Sequence, residues 1–183
     1  LLHGHLGLGE DDATGPNALE MTPDCADNPF FLRAYFAWKL GLPFGFHETS
    51  WGTPESPPRA GRFILGEPGA ASGQGTSVPA MGRLLNLVKN IVHAGNGRTA
   101  LRADGTDYYP RPLSRQALKP GTVYADPYGH TYTLVRWIGQ TRKDPGLLLG
   151  ADAQPDGTIG VKRFWKGNFL FTTEAVVGEP GFK

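Results

Sequence analysis

The chain has 183 residues, 39% of them hydrophobic, with 18 Lys and Arg against 17 Asp and Glu and a net charge of +1. That length suits one domain with a real core, and the charge balance argues against disorder and against nucleic acid as a partner. No apolar run is long enough to span a membrane, and the single cysteine excludes an internal disulfide framework or a cysteine-based zinc site.

Residues 1–23 read as an irregular lead-in. His3 and His5, followed by Glu10, Asp11 and Asp12, offer metal donors. A flexible terminus is the expectation, and no metal or other cofactor is expected. The chain opens on Leu1 rather than Met, as a processed or excised domain would. The lack of a signal peptide therefore does not place it in a compartment.

Residues 24–43 carry the strongest chemical signal. Cys25 stands between Asp24 and Asp27, at the mouth of an apolar helix in which only Arg33 and Lys39 are charged from Phe30 to Leu40. A helix apolar nearly all round is normally buried. Gly41 suits its C-terminal cap, with Pro43 just beyond. Asn28-Pro29 makes a strong N-cap and first-turn pair. The rival start, with Asp24 as the cap, would set Pro29 against the Cys25 carbonyl. The preferred expectation is an irregular turn carrying Cys25, then a regular helix from Pro29. A thiol at that place lies where the helix dipole favours a thiolate.

The counts of 26 Gly and 16 Pro point to many turns and long connections. Residues 44–80 read as a long loop broken by Pro54, Pro57, Pro58, Pro68 and Pro79, with Phe63-Ile64-Leu65 as a short strand. His47 is expected to pack or face solvent rather than line a cleft. Trp51, between Ser50 and Gly52, is the candidate wall for a bound acyl group. Residues 81–94 show Leu84, Leu85, Leu87, Val88, Ile91 and Val92 at helical spacing, which predicts a second helix stopped by Gly95-Asn96-Gly97. His93 is expected in its last turn.

From Thr99 onward the pattern is strands and turns. Residues 122–125, 130–138 and 147–152 read as strands, and 160–171 could add further pairing, with Phe164, Trp165 and Phe169 as core bulk. Helices first and antiparallel strands later predict an α+β fold.

A catalytic thiol needs a base, and the base needs a third group to fix its ring. His130 opens a strand directly after Gly129. Folding residues 147–154 back against 130–138 brings Asp152 and Gln154 to its end, on one face of their strand. Either could receive the imidazole N–H, and only Asp152 would also stabilise an imidazolium. The bland alternative is an inert, buried Cys25 and a turn histidine.

These elements resemble the papain-like cysteine superfamily, first its transglutaminase-like group. The shared features are Cys25-Ala26-Asp27 opening a helix that ends in Leu40-Gly41-Leu42-Pro43, Gly129-His130-Thr131-Tyr132 beginning a strand, and Gly150-Ala151-Asp152 ending the next. The second likeness is to the NlpC-like and CHAP cell-wall peptidases and amidases. It rests on Asp24-Cys25-Ala26 and on Leu118-Lys119-Pro120-Gly121-Thr122-Val123 followed by Gly129-His130.

The resemblance implies a papain-like fold, with the Cys-bearing helix packed on an antiparallel sheet in one catalytic domain and residues 44–117 inserted between the motifs. It also implies a protein or cell-wall peptide as substrate. The activity expected is acyl transfer on amide bonds through a Cys25 thioester, with His130 as base and acid, Asp152 orienting it and Gln154 as the alternative third residue. The Cys25 backbone N–H would help hold the oxyanion. The acceptor, water or amine, is left open. So is the compartment, a secreted or periplasmic one being compatible. A binding or structural domain that kept the fold without the chemistry is the competing expectation.

Overall fold

The computed structural model describes residues 2–66, 77–164 and 177–183. Among them are two α-helices and two antiparallel sheets. Helix α1 is Asp27–Leu40 and α2 is Val78–Ile91. Strands β1 (Phe44–Thr49) and β2 (Ala60–Gly66) pair as a hairpin. Strands β3 (Val123–Ala125), β4 (Thr131–Ile138), β5 (Leu147–Ala153), β6 (Ile159–Arg163) and β7 (Gly181–Phe182) form a five-stranded sheet in the order β6-β5-β4-β3-β7. This is an α+β architecture, and no helix among the described residues is long and apolar enough to cross a membrane.

The main core lies between the helices, β1 and strand β3 of the larger sheet. Phe30, Phe31, Ala34 and Trp38 of α1 meet Phe44 and Phe46 of β1, Met81, Leu85 and Val88 of α2, and Val123 of β3. Phe30 takes both Phe46 and Tyr108 edge-on, the geometry aromatic quadrupoles favour. A second cluster of Leu118, Tyr124, Leu134 and Phe182 packs on the larger sheet with Trp137, Leu148 and Phe164.

Helix α1 departs from the expectation in two ways. It is not sealed all round: Phe36, Leu40 and the following Leu42 are about half exposed. Lys39, by contrast, is buried, because the lead-in folds over it. Its Nζ binds Glu10 and, at 2.6 Å, Asp11, and Tyr35 donates to Asp11 at 2.9 Å. The terminus expected to be flexible is thus tied down by a buried ion cluster, and two of its acidic residues hold a lysine. Gly41 does cap the helix in the left-handed region, at φ 64°.

The segment 44–80 is not one long loop. Phe44 and Phe46 alternate inward from β1, and the Pro-rich stretch after Trp51 is the connection of the β1–β2 hairpin. Pro68 lies outside the described residues. Between the two motifs, Phe44, Phe46, Met81, Leu85 and Val88 share one hydrophobic core with α1. Helix α2 starts earlier than expected, where Ser77 accepts from the Ala80 N–H, and it ends at Ile91. His93 and Gly95 to Gly97 therefore belong to a new 3-10 turn, Ala94–Arg98. His93 caps that turn, its Nδ1 accepting from Gly95 N–H while Asn96 accepts from His93 N–H. Strand β6 supplies the pairing expected after residue 159, whereas Trp165 and Phe169 lie outside the described residues.

Candidate active site

The Cys25 turn is built by its acidic neighbours. Asp24 Oδ1 accepts from the N–H groups of Ala26 and Asp27, at 2.8 and 3.0 Å. Asp27 returns the favour, accepting from Asp24 N–H at 3.3 Å. This reciprocal pairing has the hydrogen-bond pattern of a capping box and fixes the turn that enters the helix. The helix itself starts at Asp27, two residues ahead of the expected Pro29, with Ala26 at the cap position and no side-chain cap bond. Asn28 lies inside α1, its N–H bonded to the Asp24 carbonyl and its Nδ2 facing Thr133 Oγ1 at 3.4 Å. Pro29 is tolerated because it falls in the first turn, where the N–H groups need no intrahelical partner. Cys25 does sit on the turn ahead of the helix. It is half-buried, and its backbone N–H has no hydrogen-bond partner among the described residues.

The base comes from the sheet. Asp126 Oδ1 accepts from the backbone N–H of Tyr128 and of His130, each at 2.8 Å, which fixes the turn entering β4. Strand β5 folds back on β4 in antiparallel register, Thr133 opposite Ala151, and carries Asp152 to the His130 end. His130 Nε2 bonds Asp152 Oδ1. With Nε2 committed to Asp152, Nδ1 is the nitrogen left for Cys25, whose side chain lies near enough to act on the charge of the imidazole. Tyr132, two residues along the same face, meets the ring edge-on with centroids 4.7 Å apart.

Charge follows this geometry. The His130 pKa is pushed up to about 9, first by the neighbouring Cys25 side chain; burial opposes it, and Asp152 adds to it. Burial also pushes the Asp152 carboxyl up, but Lys162 and His130 outweigh this and hold it below its usual range. Asp27 goes the other way. Burial, then the Asp24 charge, raises it to about 6, and its Oδ1 is buried without a partner.

The structure separates Asp152 from Gln154. Gln154 does not touch the ring; its Nε2 donates to Asp152 Oδ1 at 2.8 Å. Lys162 of β6 binds the other oxygen of Asp152 and stands over the Tyr132 ring. Sequence reasoning missed Lys162 and Tyr132. Tyr132 was recoverable from strand alternation with His130. Lys162 required the β5–β6 register, in which Gly160 faces Asp152 and residue 162 lies on the same face.

A cleft of about 620 Å³ opens on Cys25, walled by Asp24, Ala26, Glu48, Thr49, Trp51 and His93. Trp51 is 72% exposed and stacks on His93 with ring centroids 3.8 Å apart. His93 is held by donating Nε2–H to the Thr49 carbonyl at 2.8 Å. The candidate acyl wall thus stands on the rim of the cleft that reaches the thiol. His47 packs elsewhere: its backbone and ring both meet Asp107.

No protein-family model matches the chain, and no curated protein or solved structure matches it either. The chemistry therefore rests on the side chains alone. A thiol, an imidazole and a buried carboxylate stand in series, with a free N–H at the thiol and an open cleft beside it. Such a set can form and break an acyl–sulfur bond.

Proposed function

We propose that this chain is a papain-like thiol enzyme that breaks or exchanges amide bonds in a protein or cell-wall peptide, through a Cys25 thioester. The observation that carries the proposal is the placement of His130 between Cys25 and Asp152, with Lys162 and Gln154 holding the carboxylate. The element order also supports a papain-like assignment. The cysteine precedes an N-terminal helix, the histidine opens an antiparallel strand, and the acid ends the next.

The steps follow from the groups. Cys25 sulfur attacks the carbonyl carbon; a C–S bond forms, and the carbonyl electron pair moves to oxygen. The Cys25 backbone N–H faces that oxyanion. Collapse breaks the C–N bond, and His130 gives its proton to the departing amine. Water or a second amine then loses a proton to His130 and attacks the thioester, releasing Cys25. Asp152 keeps Nε2–H in place and favours the imidazolium throughout. Trp51 flanks the acyl group in the cleft.

The test is alkylation of the native protein at about pH 6, below the ordinary range of thiol reactivity. Cys25 is expected to react readily with iodoacetamide, and His130→Ala to slow it. A thiol labelled only after denaturation would point to an inert core cysteine and a non-catalytic domain. Turnover of a p-nitrophenyl ester with and without an added primary amine then separates transfer from hydrolysis.

A further inference from the structure

Arg98 is the residue of the site that the scheme above does not use. It closes the 3-10 turn Ala94–Arg98, which packs on β3, and it keeps only 8% exposure. Its Nε is buried with no partner, and its guanidinium makes no hydrogen bond or ion pair among the described residues. An arginine always carries its charge, and a buried Nε–H left unmet, on a guanidinium that pairs with no carboxylate among the described residues, demands an explanation.

Its position supplies one. Gly129, the residue before His130, has φ 108°, and a Cβ built on it would stand 2.9 Å from Arg98 Nη2. The guanidinium therefore lies against the turn that presents the imidazole. Cys25 and Asp126 are the negative groups it feels. Their charges act on it without contact, while burial pulls its pKa down. Asp126 turns its Oδ1 to two backbone N–H groups and makes no ion pair with Arg98 among the described residues. Glu179 is occupied too, accepting from Leu101 N–H at 2.7 Å. A planar fork with no protein carboxylate to fill it is suited to bidentate binding of a carboxylate from outside.

We propose that Arg98 binds a carboxylate of the substrate, so that the preferred substrates are peptides bearing a free carboxylate beside the amide cleaved at Cys25. This rests on the thiol-enzyme proposal and narrows its substrate class. The carboxylate could be the C-terminal one of the leaving residue or a side-chain one; the chemistry at Arg98 is the same. In either case Arg98 is a binding residue, and proton transfer stays with His130.

The test compares two alkylating reagents of similar size, iodoacetate and iodoacetamide, of which only the first carries a carboxylate. The quantity read is the ratio of their rates at Cys25, relative to the same ratio for N-acetylcysteine amide. Any effect of Arg98 on the thiolate itself touches both reagents and cancels in the ratio. The native protein is expected to favour iodoacetate. Arg98→Gln should lower the ratio by about tenfold, or about 1.4 kcal/mol, with Arg98→Lys in between. Competition identifies the source: N-acetylalanine offers a terminal carboxylate and N-acetyl-isoglutamine only a side-chain one, and the better protector of Cys25 names it. An unchanged ratio in a folded Arg98→Gln protein would overturn the proposal. Should that variant not fold, a native ratio equal to that of the reference thiol would overturn it. A Cys25 unreactive to both reagents would overturn this proposal and the thiol-enzyme proposal together; a reactive Cys25 without the preference would overturn this one alone.

Discussion

The chain builds two clusters in which a buried carboxylate meets a cation, and they differ in what can reach them. In the first, Lys39 binds Glu10 and Asp11; the side chains of Lys39 and Glu10 are fully enclosed, and Asp11 is 10% exposed. Burial pushes Glu10 up, yet its bonds to Lys39 and to backbone N–H groups hold it at about 2. In the second, Asp152 is as enclosed as Glu10, but its partners are open: His130 is 25% exposed and Lys162 57%. One cluster is a clip between the lead-in and α1. The other ends on a thiol and a cleft. The same pairing of charges is structural where every member is sealed and suited to chemistry where one member can exchange a proton.

The largest effect expected from breaking this contrast is on turnover. Cys25→Ala should lower release of p-nitrophenol from an ester substrate by about a thousandfold or more, with the melting temperature nearly unchanged. A retained rate would remove Cys25 from the chemistry. Asp152→Ala should lower it by about a hundredfold, and Gln154→Ala far less, since only the carboxylate stabilises an imidazolium. The reverse order of damage would give the third role to Gln154.

The sealed cluster should respond in the opposite way. Lys39→Met leaves Glu10 and Asp11 without their cation. Removing one partner of a buried pair costs about 3–5 kcal/mol, so thermal melting should drop sharply while the rate per folded molecule holds. Lys162→Met removes a lysine whose side chain is 57% exposed and leaves Asp152 its bonds to His130 and Gln154, so it should cost only about 1 kcal/mol and instead reduce turnover. Equal stability losses at the two lysines would erase the distinction drawn between the clusters.

The pH dependence follows from His130. Its folded pKa of about 9 lies above the ordinary value of 6.5. The pairing therefore adds stability that is complete below pH 6.5 and is lost as pH rises through about 9. Ester turnover, which needs the imidazolium proton, should have an alkaline limb near pH 9. Asp152→Asn should move that limb downward, because it removes a charge that favours the imidazolium. A limb that stays in place in this variant would show that Asp152 does not act on the ring.

Much of the site was legible because it rests on local rules. His130 after a glycine, alternation in β5 and a hairpin return placed Asp152 without coordinates. Lys39 was not legible. A lysine in an apolar helix reads as a snorkelling surface residue, and nothing local says that Glu10 and Asp11 lie over it. The hairpin 44–66 was hidden by its Pro-rich connection, although Phe44 and Phe46 carried the period of a strand. The helix start was misjudged by two residues because Asn28-Pro29 is a strong local cap, whereas the turn held by Asp24 and Asp27 leads straight into a helix from Asp27. Arg98 offered no signal at all, since its burial depends on β3 and the β4 turn.

Asp27 sharpens the comparison from a third side, as a buried carboxylate that meets no cation within contact. Burial and Asp24 raise its folded pKa to about 6 from an ordinary 3.8. Between those values the folded chain binds a proton that the unfolded chain has already lost. Ionising Asp27 therefore opposes folding, and stability from this group falls as pH rises from about 4 to 6. The sign is opposite to that of Glu10, whose pairing is lost only on acidification. Asp27→Asn removes the ionisation and keeps an oxygen to accept from Asp24 N–H. Melting curves at pH 8 should rise, by an amount on the order of 2 kcal/mol, while those at pH 4 should differ little between the two proteins. A variant less stable than the parent at pH 8 would mean that the Asp27 charge is compensated at the mouth of α1, and that the Cys25 turn is held by ionised carboxylates as firmly as Lys39 is.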